Sequence, residues 1–182
     1  VVYTDGSVLD GPTPLLRRAG WAFVALDEDG RVRASAHGVP PPWITTIFGA
    51  ETWAVLQAVS HACGTAILRI DCKSAVDVLL AGRERAVTPR RLTARAWAAI
   101  FAALDDAPPD DVSWIPAHTA AADVGRRRIG NGAFLSEMDR RGNDTADELA
   151  KAAVELHRVP ARLREAVAAQ EEQVSIDGMV GR

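Results

Sequence analysis

Four acidic residues sit where their surroundings invite chemistry. Asp5 ends the apolar run Val1-Val2-Tyr3-Thr4, and Asp71 ends a second, Thr65-Ala66-Ile67-Leu68-Arg69-Ile70. Glu51 opens a stretch whose apolar residues recur three and four apart, and Asp147 lies in the first turns of another. Their separations are long, so only folding can gather them. Gathered carboxylates repel one another and hold their protons. A hard, oxygen-seeking divalent cation such as magnesium or manganese removes that conflict. Two such ions about 4 Å apart activate water and stabilise a leaving oxygen in phosphodiester cleavage. Taken singly, each acid has a plainer reading. Asp5 and Asp71 serve as turn formers, and Glu51 and Asp147 as partners of a helix dipole. Asp144 competes with Asp147 for any functional role. Asp10, Asp27 and Asp29 read as loop acids and Asp77 as a helix-surface residue.

The elements that must position these groups follow from period and punctuation. Residues 1–9 read as a strand with a polar tip, and residues 19–26 and 31–37 as two more around a turn at Asp27–Gly30. Their short connections predict antiparallel pairing. Pro40–Pro42 interrupt regular structure. Residues 50–62 read as a helix stopped by Gly64, 65–70 as a strand, and 74–80 as a short helix ended by Gly82. A helix at 91–104 is separated by Pro108 and Pro109 from a strand at 111–115. Residues 120–142 hold four glycines and no long element, and 145–157 are helical again. A last helix at 160–170 precedes a tail, VSIDGMVGR, expected to fray. The expected class is therefore α/β: a mixed five-stranded sheet, three antiparallel strands followed by parallel ones, flanked by helices.

Composition narrows the function classes. With 182 residues, 48% of them hydrophobic and 25% charged, the chain can build one packed core, which excludes global disorder. No run approaches the roughly 18–20 apolar residues of a membrane span. Cys63 and Cys72, the two cysteines, make neither a disulfide framework nor a zinc site, so reduced thiols and an intracellular setting are expected. The net charge of −3 argues against a dedicated DNA-coating protein. Its arginines are nevertheless clustered, at Arg83, Arg85, Arg90, Arg91 and Arg95 and again at Arg126–Arg128 with Arg140 and Arg141. The chain starts at Val1 and not at Met, which leads us to expect an excised domain.

Five segments in order resemble the ribonuclease H family of the cellular and reverse-transcriptase-associated type. Tyr3-Thr4-Asp5-Gly6-Ser7 resembles its first-strand signature, Gly49-Ala50-Glu51 its second acidic motif and Ile70-Asp71-Cys72-Lys73-Ser74 its third. Ser113-Trp114-Ile115-Pro116-Ala117-His118-Thr119 resembles the segment with the family's mobile histidine. Asn143 with Ala146-Asp147-Glu148-Leu149-Ala150 resembles the fourth acidic motif. The resemblance implies a ribonuclease H-like domain over residues 1–157, with an insertion at about 120–142 and a helical extension and tail at 158–182. It implies a two-metal endonuclease cutting the RNA strand of an RNA–DNA hybrid to leave 3′-hydroxyl and 5′-phosphate ends. Two Mg2+ ions, with Mn2+ as substitute, would be held by Asp5 and Asp71 jointly, by Glu51 at one site and by Asp147 at the other. His118 would assist proton movement or product release. Substrate contacts would come from Ser7, Thr45, Thr46, Ser74, Asn143, Arg90, Arg91 and Arg127. The implied partners are the hybrid and a polymerase or hybrid-binding domain outside this chain. We expect a monomer.

Two departures from the family stand out. Where members acting on hybrids often carry Asn or Gln before the helix glutamate, this chain has Ile47-Phe48-Gly49-Ala50. Between His118 and Asn143 lie 24 residues where compact members have a handful, and this insertion reads equally as a substrate clamp, a lid or a solvated loop. Two other readings therefore stay open: a catalytically weak or inactive binding module on the same fold, and a related nuclease acting on DNA.

Overall fold

The computed structural model describes residues 1–61, 67–106 and 110–180. Five strands form one sheet in the order β3-β2-β1-β4-β5. β1 (Val2–Leu9), β2 (Arg18–Leu26) and β3 (Val32–Gly38) pair antiparallel. β4 (Ile67–Ile70) and β5 (Asp111–Trp114) add in parallel on the other side of β1. This is the expected mixed sheet, with β1 central.

Strand alternation sends neighbouring side chains of β1 to opposite layers. Val2 joins Phe23, Leu68 and Ile70 beneath α1 (Ile47–His61) and α4 (Ala94–Asp106), against Val55, Trp97 and Ile100. Tyr3 joins Val24, Ile115 and Ala146 on the opposite face, which α5 (Glu137–Glu155) covers. Two apolar layers thus clamp the central strand, and its polar end is carried between α1 and α5.

The largest correction concerns α5. Its start lies at Glu137, eight residues before the expected 145, so residues 137–142 of the supposed insertion are helical. Ser136 explains this: its hydroxyl accepts the Asp139 N–H at 3.0 Å, and the Asp139 carboxylate accepts the Ser136 N–H at 3.1 Å. That reciprocal cap nucleates the helix upstream of Gly142, whose low propensity argues for a later start. Asp147 consequently sits mid-helix and not in the first turns. Asp144 is mid-helix too, tied to Arg140 at 2.7 Å.

Other elements shift less. α2 spans Lys73–Leu80, and an unexpected short helix, α3 (Arg83–Ala86), precedes α4, which begins at Ala94. The last helix, α6, runs Ala161–Val180, through the tail expected to fray from Val174. Its described side chains are largely exposed. Cys72 is a free thiol. Cys63, Gly64, Thr65, Ala66, Pro108 and Pro109 lie outside the described residues. Among those described, no helix is long and apolar enough to cross a membrane.

Candidate metal centre

The site forms where β4 ends beside the middle of β1. β1 and β4 are parallel with Thr4 opposite Ile70, so Asp5 and Asp71 are the next residues past the last paired rung. The register alone sets the two carboxylates side by side. Trp114, at the end of β5, fixes this end of the sheet by donating its indole N–H to the Asp71 carbonyl at 2.9 Å.

Glu51 arrives from the other layer. The Thr46 hydroxyl accepts the Gly49 N–H at 3.0 Å and starts α1, placing Glu51 in its second turn. α1 can settle this closely on β1 because residue 6 is glycine. A Cβ there would lie 2.3 Å from the Glu51 nitrogen and 2.6 Å from the Ala50 carbonyl carbon.

One oxygen each from Asp5, Glu51 and Asp71 then lies within 4.8 Å of the others. Asp5 and Glu51 are buried, and Asp71 is half-buried. Asp5 Oδ2, Glu51 Oε2 and Asp71 Oδ1 are shielded from solvent and have no hydrogen-bond partner, as is Asn143 Oδ1 beside them. Burying such oxygens without partners is costly. An all-oxygen donor set of this kind suits a hard divalent cation such as Mg2+, so these three acids could coordinate one.

The electrostatics point the same way. Burial first, then the neighbouring Asp71 and Asp147 charges, push the Asp5 carboxyl up to about 8. Burial, then Asp71 and Asp5, raise Glu51 well above the usual range, with the Gly6 backbone pulling slightly back. Asp71 is raised chiefly by burial and by Asp147. The Asn143 amide, donating to Asp71 Oδ2 at 3.4 Å, and nearby His118 oppose this.

The remaining expected residues fall into two groups. Asn143 and Asp147 lie one helical turn apart on α5, facing the cluster. Asp147 stands outside the tight trio, close enough for its charge to be felt there, and is paired with Lys151 Nζ at 2.6 Å. His118 is exposed on the loop after β5, in the left-handed backbone region at φ +49°. Ser7 lies two residues past Asp5 on the same face of β1. Thr45 and Thr46 border the start of α1, and Ser74 is exposed in the first turn of α2. Among the described residues, Arg90, Arg91 and Arg127 make no hydrogen bond or ion pair with the trio. Arg90 is exposed, Arg91 lies 6.0 Å over the Phe48 ring and Arg127 is 4.0 Å from Asp123. Sequence reasoning gave no role to Trp114 or Lys151 and missed the close approach at Gly6. The glycine directly after Asp5 was the one available signal for that approach.

No protein-family model and no curated protein matches the sequence. Solved structures do. The foamy viral protease-reverse transcriptase, in complex with an RNA/DNA hybrid, superposes with a TM-score of 0.63 at 16% identity over 86% of this chain. This chain spans only 20% of that protein. LC11-RNase H1 from compost, also in complex with an RNA/DNA hybrid, gives 0.57 at 19% identity, covering 85% of this chain and 95% of that one. The N-terminal RNase H domain of a Mycobacterium tuberculosis protein gives 0.56 at 18% identity, covering 85% and 94%. The chain therefore has the ribonuclease H-like fold that its five motifs led us to expect.

Proposed function

We propose that this chain is a divalent-metal-dependent endonuclease that hydrolyses the RNA strand of RNA–DNA hybrids, leaving 3′-hydroxyl and 5′-phosphate ends. The observation that carries the reading is the convergence of three carboxylates whose inward oxygens have no partner. It is supported by likeness to two proteins solved with RNA/DNA hybrids, and by the position of the motifs around the trio.

Asp5 and Asp71 are assigned as ligands common to two Mg2+ ions, Glu51 as a ligand of one and Asp147 of the other, with Mn2+ as a substitute. Bound there, the two ions supply activation of the attacking water and stabilisation of the departing 3′-oxygen. The protein's own groups do the rest. Asn143 orients the Asp71 carboxylate through its amide. Glu51 presents its carboxylate to the 2′-hydroxyl next to the scissile phosphate, the group that distinguishes RNA from DNA. His118, exposed beside the trio, accepts or returns a proton as product leaves. Lys151 holds Asp147 until a cation competes for it. The Thr46 hydroxyl accepts from Gly49 and keeps its own proton to donate to the substrate. Ser7, Thr45, Ser74, Arg90, Arg91 and Arg127 complete the contacts to the hybrid. A polymerase or hybrid-binding domain adds affinity that an acidic domain lacks, and residues 158–182 form an extension outside the catalytic unit.

The test is cleavage of a labelled RNA–DNA hybrid in Mg2+, with Asp71→Asn as control and duplex DNA and duplex RNA alongside. Cuts confined to the RNA strand of the hybrid, and lost in the variant, are expected. Equal cleavage of duplex DNA would make the chain a DNA nuclease. Hybrid binding without cleavage in Mg2+ or Mn2+ would make it a binding module.

A further inference from the structure

Residues 119–136, which the sequence leaves open as a clamp, a lid or a solvated loop, form a seated arm. Leu135 donates its N–H to the Arg127 carbonyl at 2.8 Å and Ile129 to the Ala133 carbonyl at 2.9 Å, folding 127–135 into a tight hairpin. Ile129 and Leu135 are buried in the same apolar cluster as Tyr3 and Ile115. Gly130 donates to the Trp114 carbonyl at 2.7 Å, and a Cβ at residue 130 would lie 2.8 Å from the Trp114 nitrogen. Trp114 in turn bonds the Asp71 carbonyl. The hairpin turn is thus seated along β5, with Gly130 on Trp114 and the Asn131 amide donating to Asp111 at 3.0 Å, and the arm's first residue follows His118.

The exposed side of this arm is basic. Arg126, Arg127 and Arg128 all face solvent. Arg127 has only a distant partner, Asp123 at 4.0 Å, and the Arg128 guanidinium donates to the Gly132 carbonyl and stacks 4.3 Å over the Phe134 ring, with no carboxylate among the described residues holding it. The contrast with Arg140 is informative, since Glu137 and Asp144 both hold it at 2.7 Å. A cluster of carboxylates repels a phosphate backbone, so binding energy must come from cations placed beside it. A pre-seated arm supplies them without the entropy cost of ordering a loop.

We propose that the 119–136 arm is a nucleic-acid clamp, gripping the phosphate backbone of the hybrid next to the carboxylate site through Arg126, Arg127 and Arg128. The inference rests on the nuclease reading. Equilibrium binding of a fluorescent RNA–DNA hybrid is measured without divalent metal over a series of KCl concentrations, which separates grip from catalysis. Relative to the unsubstituted chain, Arg126→Ala/Arg127→Ala/Arg128→Ala should flatten the slope of log affinity against log salt by roughly two to three, about one per lost phosphate contact. Gly130→Ala, which unseats the arm and keeps every arginine, should weaken binding in the same direction. Arg33→Ala, at the opposite end of the sheet, should leave the slope unchanged. A slope in the triple variant equal to that of the unsubstituted chain overturns the clamp. If that variant still cleaves hybrid in Mg2+, the nuclease reading survives the loss. No hybrid binding by the unsubstituted chain overturns the clamp, while cleavage of the hybrid in Mg2+ decides the nuclease reading separately.

Discussion

The backbone nitrogen of Glu51 lies so close to Gly6 that a single methyl group there would come within 2.3 Å of it. This contact docks the start of α1 on the middle of β1, and it is what brings Glu51 to Asp5 and Asp71. Gly6→Ala should therefore push the helix away. We expect a loss of stability of at least about 2 kcal/mol, since backbone cannot give as a side chain can. The Mg2+ response of the folded protein should fall with it. Chemical denaturation with and without Mg2+ measures both, and an unchanged response would remove Gly6 from the site's architecture.

The metal-free protein should weaken as pH rises. Burial and the adjacent Asp71 and Asp147 charges lift the Asp5 carboxyl from 3.8 to about 8, so the folded state holds a proton that the unfolded chain releases. The stabilisation is complete below about pH 4 and is lost progressively up to about pH 8. Asp5→Asn removes the titrating group. It should raise stability at pH 8 by on the order of 1 kcal/mol or more, while abolishing cleavage. Urea titrations in a chelator at pH 5 and pH 8 check the sign, and a parallel pH dependence in the variant would refute it.

Divalent metal should reverse that weakening. A cation that binds the folded state alone stabilises it by about 2.7 kcal/mol at a hundred times its Kd, which for this size is a rise in Tm of roughly 5–10 °C. Saturating Mg2+ should give such a rise at pH 8, and Glu51→Gln or Asp71→Asn should reduce it. Thermal melts across a Mg2+ series decide the point. Equal shifts in the variants would place the bound cation elsewhere.

Trp114→Phe tests the end of the sheet. It keeps one aromatic ring but removes the five-membered half of the indole, with the N–H that meets the Asp71 carbonyl at 2.9 Å. The expected loss is about 1 kcal/mol, with a higher Mg2+ concentration needed for half-maximal cleavage because Asp71 is held less firmly. A melt combined with a Mg2+ titration of cleavage separates the two effects. Loss of stability with an unshifted Mg2+ requirement would confine Trp114 to packing.

Much of the sheet was legible because its signals are local. Alternation and turn residues mark β1 to β3, and short links between them leave antiparallel pairing as the natural outcome. The parallel strands were readable for the converse reason, since helices separate them. The start of α5 was misread because Gly142 spoke locally against helix, whereas the Ser136–Asp139 cap and packing on the sheet outweigh it. α3 went unseen because four residues carry too little periodicity to register.

By itself, the sequence determined which carboxylates lie on strands and helices, in which order, and that a mixed sheet would hold them. Chain chemistry within a few residues decides those matters. Only the tertiary structure decided which acids meet. The parallel register of β1 and β4 aligns Asp5 with Asp71, the bare α-carbon of Gly6 admits Glu51, and the longer α5 leaves Asp147 beside the trio, held by Lys151. It also decided that the arginines of the insertion ride on an arm anchored by Ile129 and Leu135. Each of these rests on contacts between segments remote in the chain, whose geometry is set by the packing of layers and not by any local preference.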